Sequence, residues 1–272
     1  MNKIEALASF HISGTSLAAM IIVCIVAFLI PFCTFIFFKK KNPGAKKMNA
    51  LVGAMVFIIF ALVLERLLNI VVFNTFGQTI LSNLFAYAAY GGLAAGIFEE
   101  TGRFLAMKYL MKNSLDKQNS IMYGIGHGGI ESVILVGLTY LSLIVIAIYM
   151  NNAPVEKITV LMAKNPTLFQ QMKAMAAAPA FSLCLVGIER IAAFAFQISL
   201  SYLVYKSVAE KKIQLFIAAI GLHFFIDASA FIMAKKLSVY ITELYLLSVV
   251  FVVSFFIFKS YIKDQRETAS GQ

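Results

Sequence analysis

Gly96-Ile97-Phe98-Glu99-Glu100-Thr101-Gly102-Arg103-Phe104 is the stretch on which the reading of this chain turns. It sets two adjacent carboxylates and an arginine inside a run that is otherwise largely apolar from Thr79 to Leu110. Insertion scales put the cost of each such charge at roughly 2.5 to 3.5 kcal/mol near the middle of a membrane helix, so the three need partners or a task. On a helix Glu99 and Arg103 are i,i+4 neighbours and Glu100 and Arg103 are i,i+3 neighbours, so the arginine can hold either acid. The two acids point about 100° apart around the helix axis. One can be clamped while the other faces a cavity.

The surroundings of this stretch fix the class of protein. Of 272 residues, 61% are apolar and 13% charged, and the mean hydropathy is +0.86. Those values lie outside the globular range and predict an all-α, polytopic membrane protein folded as a single integral-membrane domain over residues 1–272. At about 20 apolar residues per crossing, seven spans are expected: 16–38, 50–73, 79–110, 120–150, 179–205, 213–233 and 239–258. The third and fourth exceed one crossing and should tilt, kink or project.

The net charge of +10 is topological information rather than a nucleic-acid footprint, because most lysines fall in short loops between apolar spans. Lys39, Lys40, Lys41, Lys46 and Lys47; Lys108, Lys112 and Lys117; Lys206, Lys211 and Lys212; and Lys259, Lys263 and Arg266 all fall on one side of a seven-span arrangement. The other side has Lys3, Lys157, Lys164, Lys173, Lys235 and Lys236. The positive-inside rule then gives N-terminus out and C-terminus in. Lys3 is balanced by Glu5 and the first apolar segment precedes its lysines, the reverse of a cleavable signal peptide. Cys24, Cys33 and Cys184 lie in apolar spans without paired spacing, so buried free thiols are expected. Within the longest connection, Asn151 to Ala178, Asn165-Pro166 reads as a helix entry. Leu168, Phe169, Met172 and Met175 follow at helical spacing, predicting one short interfacial helix between spans four and five.

The ionisable residues left inside spans form a short set: Glu65 and Arg66; Glu99, Glu100 and Arg103; His127 and Glu131; Glu189 and Arg190; His223 and Asp227; and Glu243. Unpaired, the first eleven would cost about 30 kcal/mol, several times the net stability of an ordinary domain. His127-Gly-Gly-Ile-Glu131 and His223-Phe-Phe-Ile-Asp227 each put an imidazole and a carboxylate on one helical face. Gly126, Gly128 and Gly129 would let a neighbouring helix or an extended substrate come close to the backbone. Residues from spans three, four and six fall at compatible depths and could meet. Glu65-Arg66 and Glu189-Arg190 read as structural charges, Glu189 being the nearer of these to a supporting role at the site, and His11 and Glu243 as interfacial.

A carboxylate beside histidine in a partly dry cavity can act as general base on water. Imidazole and arginine donors can stabilise the oxyanion formed as water adds to a peptide carbonyl. A divalent ion such as zinc, bound by His127, His223 and one or two carboxylates such as Glu131 and Asp227, would do similar work by acidifying bound water. No His-Glu-x-x-His, Gly-x-Ser-x-Gly or intramembrane Ser/Lys pair is present. Two other classes use the same charges: a transporter or ligand-binding protein with a proton or cation path, and a noncatalytic scaffold or immunity protein of the same fold.

An acidic pair with a base on one span, an acid on the next and His-x-x-x-Asp on a later one resembles the glutamic-type intramembrane protease superfamily, which includes the PrsW-type and CAAX prenyl proteases. Gly126-His127-Gly128-Gly129-Ile-Glu131 is most similar to the bacterial YhfC branch of membrane peptidases. The resemblance implies a protease that cuts a membrane protein or peptide in or beside the bilayer. It implies Glu99 or Glu100 as water-activating base, Arg103 as its positioning partner, and His223 and Asp227 in oxyanion stabilisation or metal binding. Glu131 matches the acid of the PrsW-type second motif, whereas His127 matches no catalytic position there. The arginine is one residue closer to the acids than in the CAAX proteases, which argues against a prenylated substrate.

Overall fold

Long helices joined by short polar turns account for the chain, with no strand among the described residues, which in this computed structural model are 11–270. Lys3 and Glu5 lie outside them. In chain order the helices are α1 (Gly14–Lys41), α2 (Lys47–Phe57), α3 (Arg66–Leu81), α4 (Leu84–Leu105), α5 (Lys117–Glu131), α6 (Leu138–Asn152), α7 (Val155–Lys164), α8 (Pro166–Ala177), α9 (Ala180–Ala209), α10 (Ile213–Lys236) and α11 (Val239–Ser270). π-helical turns, Ile58–Glu65 and Ser132–Gly137, join α2 to α3 and α5 to α6, and a third, Ala106–Leu110, extends α4.

Six of the continuous runs are long and apolar enough to cross a bilayer: Gly14–Lys41, Lys47–Leu81, Lys117–Asn152, Ala180–Ala209, Ile213–Lys236 and Val239–Asp264. The third expected span, 79–110, is helical from Leu84 to Leu110, but its charges and glycines dilute its apolar character. It begins later than expected because Asn83 caps it, accepting hydrogen bonds from the Phe85 and Ala86 amides, the usual role of an N-cap carboxamide. Its passage across the bundle follows from what meets at its far end. The Lys46 amide donates to Asn119 Oδ1 at 2.7 Å, and Ser114 Oγ donates to Asn49 Oδ1 at 3.2 Å. The chain therefore leaves that end in α2–α3 and is back there after α4.

Two compact units make up the chain. The first combines the described part of Met1–Leu29 with Ser132–Ile191. Its core joins Met20, Val23 and Ala27 of α1 to Leu143, Ala147 and Met150 of α6, with Met162 of α7 and Met172 of α8. Asn151 ties its entry, accepting from the Ile12 amide and donating to the Ile12 carbonyl, both at 2.9 Å. The one expected interfacial helix is two, because Pro166 cannot continue α7 and instead opens α8. Asn165 does not cap with its side chain; its Nδ2 donates back to the Leu161 carbonyl at 3.2 Å. Cys24 and Cys184 are half-buried, while Cys33 is exposed, contrary to the expectation of a buried thiol; all three are free.

The second unit, Ile30–Glu131 with Ala192–Gln272, is organised by two tight helix pairs. In the first, α2 and α5 run parallel, and a Cβ at Gly126 would collide with the Ala50 carbonyl. In the second, α4 and α10 run antiparallel: a Cβ at Gly92 would lie 2.7 Å from the Phe224 oxygen, and further along Phe104 meets Phe216 with ring centroids 4.8 Å apart. Absent side chains at these crossings let backbones approach, as small residues do in membrane bundles. The glycines around His127 thus serve neighbouring helices: Gly126 admits α2, Gly128 faces Gln197 and Phe194 of α9, and Gly129 faces Pro31 of α1. At the lysine-rich end of this unit Lys117 Nζ donates to the Asp264 carbonyl. Tyr202 Oη donates to the Asp264 carboxylate, and Lys206 Nζ lies 2.9 Å from it.

Candidate active site

The two helix pairs of the second unit carry the residues singled out in the sequence to one place. Glu99, Glu100 and Arg103 sit on the last turns of α4, His127 and Glu131 near the end of α5, and His223 and Asp227 near the middle of α10. Close packing at Gly96, where an added Cβ would lie 3.0 Å from the Ile220 oxygen and 3.5 Å from His223 Cβ, brings α10 against the acidic pair. Glu100, Arg103 and His127 are fully buried, and Glu99, Glu131 and His223 nearly so.

Arg103 is the centre of the arrangement. Its Nε lies 3.2 Å from Glu100 Oε2. Its NH1 group donates to the Gln197 carbonyl and to Ser201 Oγ, each at 2.7 Å. Its NH2 group donates to Gln197 Oε1 and lies 3.4 Å from His127 Nε2. The guanidinium fork suits this many-sided role, having five donors and no acceptor.

Two carboxylate–imidazole sets flank that fork. In one, His127 Nε2 is 3.0 Å from Glu99 Oε2, and Gln197 Nε2 donates to Glu99 Oε2 at 3.0 Å and to Glu131 Oε2 at 2.7 Å. In the other, His223 Nδ1 is 2.8 Å from Glu100 Oε1 and its Nε2 is 3.5 Å from Asp227 Oδ2. Asp227 is the open end of this second set, with 42% of its side chain exposed. The two acids of the opening stretch thus have different surroundings. Both oxygens of Glu100 face a cationic partner or an imidazole, whereas Glu99 Oε1 accepts no hydrogen bond among the described residues. The i,i+3 member of the pair is the one the arginine clamps.

Glu99, His127 and Glu131 each offer a ligand atom within 4.8 Å of the others, grouped as a metal site would be. Two ionised carboxylates at that separation repel by about 3.5 kcal/mol at an effective dielectric constant of about 20. Arg103 pairs with Glu100, and the two further buried acids, Glu99 and Glu131, bring together negative charge that a divalent ion would neutralise. His127 Nδ1 is buried without a hydrogen bond among the described residues. One imidazole and two carboxylates are a donor set that zinc accepts in three-ligand sites, so the residues present fit such an ion. His223 and Asp227, expected in the sequence as further ligands, belong to the Glu100 set instead.

Of the remaining charges in the apolar runs, the half-buried Glu65 lies near enough to Glu99, His223 and Asp227 to interact with them electrostatically. Glu65 accepts from Asn69 Nδ2 at 3.3 Å, and Asn69 Oδ1 accepts from Tyr90 Oη at 2.5 Å. Glu189 and Arg190, read from the sequence as structural charges, pair with each other at 2.8 Å within the first unit. Glu243 is buried and His11 exposed. The sequence reading missed Gln197 and Ser201, because a search for ionisable groups passes over amides and hydroxyls. The available signal was a glutamine in mid-span with a serine at i+4, both on one face of α9.

The family described as YhfC intramembrane metalloprotease matches residues 26–251 of this chain. A Bacillus subtilis (strain 168) protein called uncharacterized membrane protein YhfC is 35% identical over 200 residues, covering 73% of this chain and 77% of that protein. No solved structure matches.

Proposed function

Since this chain belongs to the YhfC intramembrane metalloprotease family, we propose that it hydrolyses a peptide bond of a membrane-embedded or membrane-associated protein, with Glu99, His127 and Glu131 as the residues that would hold a divalent ion. The observation that carries this reading is the meeting of those three buried side chains within 4.8 Å. An ion bound there supplies a water acidified to about pKa 7 and a Lewis acid for the carbonyl.

The chain's own groups do the rest. Glu99, whose Oε2 faces His127 and Gln197, would use its other oxygen, Oε1, to take the proton of the attacking water and hand it to the leaving amine as the C–N bond breaks; this second oxygen favours Glu99 over Glu100 as base. Glu100 holds Arg103 and His223 in place. With His127 committed to the ion, Arg103 NH2, 3.4 Å from His127 Nε2, is the donor that would face charge developing on the scissile carbonyl oxygen. His223, bridging buried Glu100 and exposed Asp227, orients the second set at the rim of the site. The orientation with N-terminus out and C-terminus in is part of the same reading. It is supported by the meeting of lysine-bearing helix ends through Lys46 and Asn119 and through Lys117, Lys206 and Asp264.

The test uses full-length protein in detergent and a synthetic transmembrane peptide, with products read by mass spectrometry. Cleavage should fall at least about 100-fold in Glu99→Gln, stop with a chelator and return with added zinc. Cleavage that survives both treatments overturns the assignment.

A further inference from the structure

One uncharged side chain touches three charged groups of this site, Arg103, Glu99 and Glu131. Gln197, 4% exposed on α9, accepts from Arg103 NH2 through Oε1 and donates from Nε2 to Glu99 Oε2 at 3.0 Å and to Glu131 Oε2 at 2.7 Å. Its backbone carbonyl accepts from Arg103 NH1 at 2.7 Å and from Ser201 Oγ at 2.8 Å. The orientation of a carboxamide is usually ambiguous, since its oxygen and nitrogen look alike. Here the chemistry of its neighbours leaves one choice. A guanidinium only donates and an ionised carboxylate only accepts, so the oxygen must face Arg103 and the NH2 group must face the two acids.

We propose that Gln197 is a positioning residue of this site. Its amide, aimed by Arg103, sets the spacing of Glu99 and Glu131 so that with His127 they can take one divalent ion. This rests on the metal reading given above. The two acids come from different helices, α4 and α5, and repel each other. Each amide hydrogen is used on one of them, which ties the two carboxylates to a common point from a third helix. No other uncharged side chain of this length both accepts from an arginine and donates twice. Glutamate would add a third negative charge facing the pair, and methionine would fill the volume with no donor. The function is that of an outer partner that orients ligands, a role whose loss typically weakens metal binding 10- to 100-fold.

The test is direct titration of Zn²⁺ and Co²⁺ into full-length protein in detergent, comparing wild type, Gln197→Met, Glu99→Gln and the control Ser199→Ala. Ser199 is half-buried on the same helix and bonds its own Ala195 carbonyl. Wild type and Ser199→Ala should bind alike, and Gln197→Met should bind about 10- to 100-fold more weakly, with an altered visible absorption spectrum of bound cobalt at saturation. Gln197→Asn, which keeps the amide but withdraws it by one methylene, gives the same comparison if the methionine variant does not fold. Wild type and the Gln197 variants binding with equal affinity and equal spectra would overturn the role of Gln197 and leave the metal reading standing. Wild type binding no more tightly than Glu99→Gln would overturn both.

Discussion

Replacing Arg103 by methionine tests whether the site is held by its charges. The side chain is fully buried, faces Glu100 at 3.2 Å and donates to the Gln197 carbonyl, Gln197 Oε1 and Ser201 Oγ. Removing one partner of a buried ion pair costs about 3 to 5 kcal/mol, because the remaining charge is left uncompensated. The three acceptors left behind add to this, each by about 1 to 3 kcal/mol where no other donor reaches them. Arg103→Met should therefore lose at least about 4 kcal/mol. The informative variant is the double substitution Arg103→Met with Glu100→Gln. If the substitutions acted independently, the double variant would be less stable than Arg103→Met alone. If the uncompensated Glu100 carboxylate dominates the loss, neutralising it should make the double variant more stable than Arg103→Met by at least about 1 kcal/mol, within the range of coupling between contacting residues. Equilibrium unfolding in mixed micelles, followed by circular dichroism for wild type, both single variants and the double, measures this. A double variant as unstable as Arg103→Met, or more so, would refute the account of Arg103 as counter-charge to Glu100.

Other expectations follow from the packing. Gly126→Ala, which drives a methyl into the Ala50 carbonyl, should destabilise by about 1 to 3 kcal/mol or more through overpacking. Gly221→Ala, where nothing lies within 4 Å, should gain up to about 1 kcal/mol from helix propensity; the same unfolding measurement compares them, and equal effects would contradict the close approach of α2 and α5. Lys211 has φ of 56° between α9 and α10, a conformation that costs a residue with a Cβ about 1 to 2 kcal/mol. Lys211→Gly should leave stability unchanged or higher, while Lys211→Val should lower it by at least about 1 kcal/mol relative to the glycine variant. Asn119→Leu removes the acceptor of the Lys46 amide and of Asn49 Nδ2 and should cost about 1 to 3 kcal/mol, with faster hydrogen exchange at the Lys46 amide as its local signature.

The class of this protein was legible in the chain because membrane helices satisfy their backbones internally and advertise themselves by length and apolarity. All seven expected runs are helical, but their ends shift: α3 runs past residue 73 to Leu81, where the cap at Asn83 begins α4, and α11 runs past residue 258 to Ser270. The same logic flagged Glu99, Glu100, Arg103, His127, Glu131, His223 and Asp227, since a charge in an apolar run is costly wherever the run lies. Helical spacing even limited Arg103 to one of two acids. What spacing along a single helix cannot express is which helices touch. That Arg103 clamps Glu100, that His127 and Glu131 join Glu99 while His223 and Asp227 join Glu100, and that Gln197 bridges the acids are consequences of α2 lying on α5, α4 on α10, and α9 against the site. Those crossings are chosen by glycines that admit a neighbouring backbone, and which backbone arrives is a property of the folded bundle. An amide in mid-span carries no formal charge to draw the eye. Its importance comes from an arginine 94 residues away in the chain, a distance that only tertiary structure closes.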